Sequence, residues 1–144
     1  MRTIALRYTD KFAPKNGTIQ SHLKILEEKG YVWYGKMGTP LSAKVIHILL
    51  ANKNPRFLLI HSGSFERYWV YIDEISHNQP NYEDFPEYYH SISNNFKTWF
   101  RVLRIELADK KVMTKCRVVS SGSLLSMISR ASMSPYFIID YNDV

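Results

Sequence analysis

Cysteine is almost absent from this sequence: Cys116 is the single one in 144 residues, so no internal disulfide can form and no oxidising compartment is required. With no evident base beside it, Cys116 reads as buried filler. The five histidines, His22, His47, His61, His77 and His90, never stand four apart on one predicted helix and have no second cysteine to join, so the spacing of a zinc site is missing. No glycine-rich loop of the GxxxxGKS or GxGxxG kind occurs, and no GxSxG elbow, which argues against nucleotide hydrolysis and α/β-hydrolase chemistry. Neither a metal nor a cofactor is implied. No run approaches the ~18 apolar residues of a membrane span, and the opening MRTIALRYTDKF holds no long apolar segment, so a soluble, cytoplasmic chain is expected.

Acidic residues are also in short supply. Lys and Arg number 19 against 13 Asp and Glu, a formal charge of +6 that favours polyanionic partners through long-range attraction and counterion release. Asp73, Glu106 and Lys110 are the set from which a metal-dependent nuclease could be drawn, because that chemistry needs carboxylates and a lysine converging on one point. Acids at strand ends ordinarily meet solvent, so the chain is read as not an enzyme.

What the sequence has in excess is aromatic: 14% of residues, with ten tyrosines and three tryptophans. The length fits one domain over residues 1–144. Thr3–Tyr8 alternates like a half-buried strand, and Thr18 to Lys29 reads as a helix with Ile19, Leu23 and Leu26 inward, stopped by Gly30. Then come a short strand in "YVWYGK", a helix entered at Pro40–Ser42 with Val45, Ile46, Leu49 and Leu50 inward, and two strands, "RFLLIHS" and "RYWVYIDEIS", joined by a hairpin turn at Gly63–Glu66. His77–Asn95 is polar and turn-rich yet carries Tyr82, Phe85, Tyr88 and Tyr89, which argues for a docked, functional loop. "FKTWFRVLRIEL" alternates with large side chains on both faces. "VMTKCRVV" reads as a strand, "SGSLLSMISR" as a short helix and "PYFIIDY" as a last strand. Strands that outnumber short helices imply an α+β curled sheet or small barrel with helices at its ends.

The aromatics interleave with bases. Trp33, Tyr34, Trp69, Tyr88, Tyr89 and Trp99 alongside Lys36, Arg67, Lys97, Arg101 and Arg104 have the chemistry to stack on bases while neutralising phosphates. In "GYVWYGKMGTPLS", Trp33 and Tyr34 are adjacent in a strand and face opposite ways, so one packs inward while the other faces a cleft.

In order along almost the whole chain, these pieces resemble the PUA-like superfamily and, within it, the EVE and YTH domains that bind modified bases. The features that carry the likeness are "GYVWYGK", the His61-Ser62 end of "RFLLIHS", the Tyr88-Tyr89 pair leading into "FKTWFRVLRIEL", and "SLLSMISR" before "SMSPYFII". Ile60 stands where EVE domains tend to carry an aromatic. The resemblance implies a mixed β pseudo-barrel of five to six strands flanked by short helices, with a cleft for one base turned out of a strand. It implies Trp33 as a cage wall facing the base, Tyr88 or Tyr89 as a second wall, Trp99, His61 and Ser62 as pocket lining, and Tyr8 near the mouth. Arg7, Lys36, Arg67, Lys97 and Arg101 are placed as phosphate contacts. The implied partner is DNA or RNA carrying a methylated or otherwise modified base, with a fused or associated nuclease in restriction or defence systems. A PUA-type RNA-binding domain indifferent to modification is the alternative.

Overall fold

The computed structural model describes residues 1–61 and 63–143. Seven strands form one mixed sheet in the order β2-β5-β4-β3-β1-β7-β6, where β1 is Arg2–Arg7, β2 Val32–Met37, β3 Arg56–Ile60, β4 Tyr68–Ser76, β5 Phe96–Leu107, β6 Cys116–Val118 and β7 Tyr136–Tyr141. Three helices accompany them: α1 Gly17–Lys29, α2 Ala43–Leu50 and α3 Leu125–Ala131. This is the α+β pseudo-barrel read from the sequence, with seven strands in place of five to six. Of "VMTKCRVV", Val112–Lys115 is a 3₁₀ turn, and only Cys116–Val118 pairs, against β7. Among the described residues no helix is long and apolar enough to cross a membrane.

β1 and β3 run parallel, which requires a crossover, supplied here by α1, β2 and α2; the other pairings are antiparallel. β2 and β1 lie four places apart in the sheet, yet Val32 and Tyr34 share one buried cluster with Ile4 and Leu6. The sheet therefore curls around that cluster, and α1 and α2 plug it with Ile19, Val45 and Leu49. A second cluster on the outer face packs Leu58, Trp69, Phe137 and Ile139 against Val112, Met113 and Leu125. Each such large side chain, once buried, contributes about 1.5–3 kcal/mol.

The helices begin and end for local reasons. Gly30 closes α1 at φ 83°, a left-handed conformation that suits glycine, and its N–H reaches the Leu26 carbonyl at 2.8 Å. Thr18 lies inside the first turn of α1, and Asp10 Oδ1 accepts its N–H at 2.9 Å. Ser42 caps α2 by accepting from the Val45 N–H at 3.3 Å. Leu50, read as inward from its helical spacing, is exposed, because α2 ends there and turns its last residue outward.

Two irregularities override simple alternation in β5. Tyr71 pairs with Arg104 while Ile72 pairs with Val102, so Leu103 is an extra residue and the face parity switches there. Ile105 thus joins Phe100 and Val102 inside, and Arg104 is left outside with its guanidinium 4.0 Å from the Tyr71 ring centre. A second shift lies between Lys36 and Met37, opposite Lys97.

The segment from His77 to Asn95 is docked, as its aromatics imply. Asp84 accepts from Lys29 Nζ at 2.9 Å and from the Tyr31 hydroxyl at 3.1 Å, fixing the segment to the end of α1. Phe85 and Tyr89 then enter a third cluster with Trp33, Phe96 and Trp99 on the outer face of β2 and β5.

Candidate functional site

A cavity of about 350 Å³ opens in the seam of the pseudo-barrel, between the end of β1 and β2, two strands that do not pair with each other. Leu6, Arg7 and Tyr8 come from β1 and its end, Tyr34 to Met37 from β2, and Tyr88, Tyr89 and Ile92 from the docked segment. Phe12, Thr18, Phe96 and Pro135 complete most of the wall. The volume lies near the lower end of the ~300–1,000 Å³ of small-ligand sites, and the wall is mainly apolar, with six aromatic side chains and a few polar tips.

Gly35 makes the seam possible. A Cβ at position 35 would lie 2.6 Å from Phe96 Cγ, so the ring of Phe96 rests directly on the β2 backbone. Phe96 in turn packs on Tyr89 with ring centres 4.3 Å apart.

Four tyrosines reach this space. Burial raises the Tyr8 hydroxyl to about 12, with Asp10 and Glu66 adding to the effect, and burial likewise raises Tyr34, Tyr88 and Tyr89. All four are protonated through the neutral range and can donate as well as accept. The Tyr88 hydroxyl is 3.4 Å from Thr18 Oγ1. Behind the wall, His22 lies between Tyr34 and Tyr89, ring centres 5.0 and 5.2 Å away, with Nδ1 2.8 Å from the Thr18 carbonyl. Burial pushes this histidine down to about 4, so it is neutral, and Nε2 is buried without a partner.

Lys36 is the unusual group. Only 6% exposed, its ammonium donates to the carbonyls of Met37 and Thr39, both at 3.1 Å, and lies 5.4 Å from the Tyr136 ring centre. Desolvation lowers its pKa. The lining holds no carboxylate.

Several residues assigned from the sequence stand elsewhere. Trp33, read as facing the base, leaves β2 on the opposite face from Tyr34 and Lys36 and packs in the outer cluster at 8% exposure. Trp99 is fully buried in the same cluster. Neither lines the cavity. Strand parity explains the exchange: Tyr34 shares its face with Lys36, and that spacing of two was the signal in the sequence that would have found Tyr34. His61 stands behind Tyr8, ring centres 4.9 Å apart, with Nδ1 accepting from the Gly63 N–H and Nε2 3.8 Å from Asp10 Oδ2. Ser62 lies outside the described residues. Tyr8, Tyr88 and Tyr89 are on the cavity wall, Tyr89 the more deeply buried of the pair. Phe12, Tyr34, Met37, Ile92, Phe96 and Pro135 were not assigned to the site from the sequence.

The basic set divides as well. Arg7 lines the cavity but its guanidinium holds the end of α3, donating to the carbonyls of Ser134, Ser129 and Ser132 at 2.9, 2.6 and 2.7 Å. Arg101 pairs with Asp73 at 2.6 Å and lies 4.6 Å from the Tyr31 ring centre, while Arg67 donates to the Phe65 carbonyl at 2.7 Å. Of the five residues read as phosphate contacts, Lys97 is the exposed one. The carboxylates of the nuclease reading do not converge. Trp69 pairs with Glu106 and Asp73 is four residues further along β4, about 13 Å away at the rise of a strand. Glu106 accepts from the Tyr71 hydroxyl at 2.8 Å, and Asp73 is taken by Arg101. Among the described residues no group of three or more His, Cys, Asp or Glu is placed to hold a metal ion.

Comparison with known proteins agrees with this architecture. A family model described as Pua-like matches residues 4–134, from β1 past the end of α3. No curated protein and no solved structure matches the chain. The match covers strands β1 to β6, α1 and α2, and all but one of the cavity-lining residues, and the chain accordingly belongs to the Pua-like family.

Proposed function

We propose that this protein is a non-enzymatic nucleic-acid reader that takes one base, turned out of its strand, into the seam cavity and favours a modified base there. The observation that carries the reading is the cavity itself: a space of about 350 Å³ with tyrosines from three separate chain segments at its surface. Membership of the Pua-like family and the +6 charge support a nucleic-acid partner. Stacking on aromatic walls contributes about 1–3 kcal/mol per base, and the protonated hydroxyls supply edge contacts. An added methyl group contributes about 1 kcal/mol by burial, so the apolar lining by Leu6, Met37 and Ile92 gives modification a modest advantage that geometry must sharpen. Association with a nuclease in a defence system fits a reader of this kind.

Fluorescence-anisotropy titration of short DNA and RNA oligonucleotides, with each base in turn plain or methylated, tests the proposal. Modified strands bind more tightly, and Tyr34→Phe and Tyr88→Ala weaken them. Binding no better than that of a plain polyanion at moderate salt rejects the reading. Equal affinity for modified and plain strands leaves an RNA- or DNA-binding pocket without modification preference.

A further inference from the structure

We infer that the Lys36 ammonium selects the bound base by a carbonyl oxygen, so that the cavity takes oxo-bearing bases, uracil or guanine and their derivatives, and disfavours adenine. The inference rests on the seam cavity being a base site.

A protonated lysine has three N–H groups and no acceptor. Two of those of Lys36 are taken by the Met37 and Thr39 carbonyls, and no carboxylate lies within 4.0 Å of its nitrogen among the described residues. The protein thus brings a cation to 6% exposure beside a cavity and offers it two neutral oxygens and the face of Tyr136, but no counter-charge. Burying a charge in that way is costly unless a partner completes its coordination. The third N–H is available to a ligand in the cavity that Lys36 lines.

The rest of the lining makes the choice of edge asymmetric. It contains no Asp, Glu, Asn or Gln, so no strong acceptor faces the cation across the cavity. A carbonyl oxygen receives a charge-assisted bond from the ammonium, the pairing by which lysine reads guanine O6. Adenine has no carbonyl and carries an amino donor at the corresponding position, which would confront the ammonium with a second donor. Discrimination then comes from an unfavourable juxtaposition as well as from the favoured bond.

NMR titration of the full chain with uridine, guanosine, adenosine and inorganic phosphate decides the matter. Uridine and guanosine bind at least tenfold more tightly than adenosine, and Lys36→Met brings the three within about twofold. Reductive methylation of the wild-type chain with mass mapping gives a second measure that needs no variant: uridine protects Lys36 and adenosine does not. Adenosine binding as tightly as uridine overturns the inference and leaves the base pocket standing. Inorganic phosphate that competes with the nucleosides and protects Lys36 overturns it too, by making the ammonium a phosphate ligand. Failure of all three nucleosides to shift any cavity resonance removes the base-pocket reading, and the inference with it.

Discussion

The Phe96 ring lies on the bare backbone of Gly35, so close that a Cβ there would stand 2.6 Å from Cγ and 2.9 Å from Cδ1. Because Phe96 is itself wedged against Tyr89 and Trp99, at ring-centre distances of 4.3 and 5.2 Å, it can yield only by breaking those contacts or intruding on the cavity that it lines. Gly35→Ala is expected to destabilise the fold by about 1–3 kcal/mol through overpacking. Urea denaturation measures the loss, and an unchanged midpoint would mean that the Phe96 contact is looser than the geometry requires.

Trp33 and Tyr34 separate stability from binding. Trp33→Ala removes a ring buried with Phe85, Tyr89 and Trp99, at a cost of about 3–5 kcal/mol. Its effect on binding, measured well below the melting temperature, is small. Tyr34→Phe keeps the ring and deletes one hydroxyl at the cavity, so the melting temperature holds while affinity for the favoured oligonucleotide falls. The reverse pattern would return Trp33 to the binding face.

His22 makes stability depend on pH. Its value falls from an ordinary 6.5 to about 4 in the folded chain, through burial. Between those values the unfolded chain holds the extra proton, so stability is fully present above pH 6.5 and is lost as pH falls toward 4. The loss is on the order of 3 kcal/mol. Denaturation midpoints from pH 7.5 to 4.5 should fall for the wild type and fall less steeply for His22→Gln; parallel curves would assign the acid sensitivity to other groups.

Arg7 and Lys97 contribute in different ways despite their like charge. Arg7→Met leaves the carbonyls of Ser129, Ser132 and Ser134 without their shared donor and loosens the end of α3, for about 1.5–3 kcal/mol of stability. Lys97→Ala leaves stability alone and lowers the salt slope of oligonucleotide binding by about one. Salt titrations of the two variants distinguish these roles, and a reduced slope for Arg7→Met would show its guanidinium reaching phosphate.

The curled sheet was legible because each of its strands announces itself locally. "TIALRY" alternates, "RFLLI" and "PYFIIDY" are short β-rich apolar runs, the glycine turn at 63–66 separates β3 from β4, and Gly30 marks the end of α1. The cavity was only half legible. Tyr8, Tyr88 and Tyr89, which the resemblance places at the pocket, line the cavity, whereas Trp33 and Trp99 do not. The resemblance points to Trp33 rather than Tyr34 because a tryptophan in this strand matches a cage wall of YTH domains, although two residues separate Tyr34 from Lys36 and so fix them on one face. Arg104 and Ile105 could not be placed by alternation at all, since the extra residue Leu103 reverses the parity and is recognised only from the pairing with β4.

Composition and periodicity thus determined by themselves that this chain is an aromatic, basic α+β protein with a strand-rich core, since burial of apolar faces follows the period of the backbone. The tertiary structure alone decided which aromatic meets the cavity and which cation is buried without a counter-charge. Both depend on β2 meeting β1 and β7 across an unpaired seam, a relation between distant segments that no local pattern encodes.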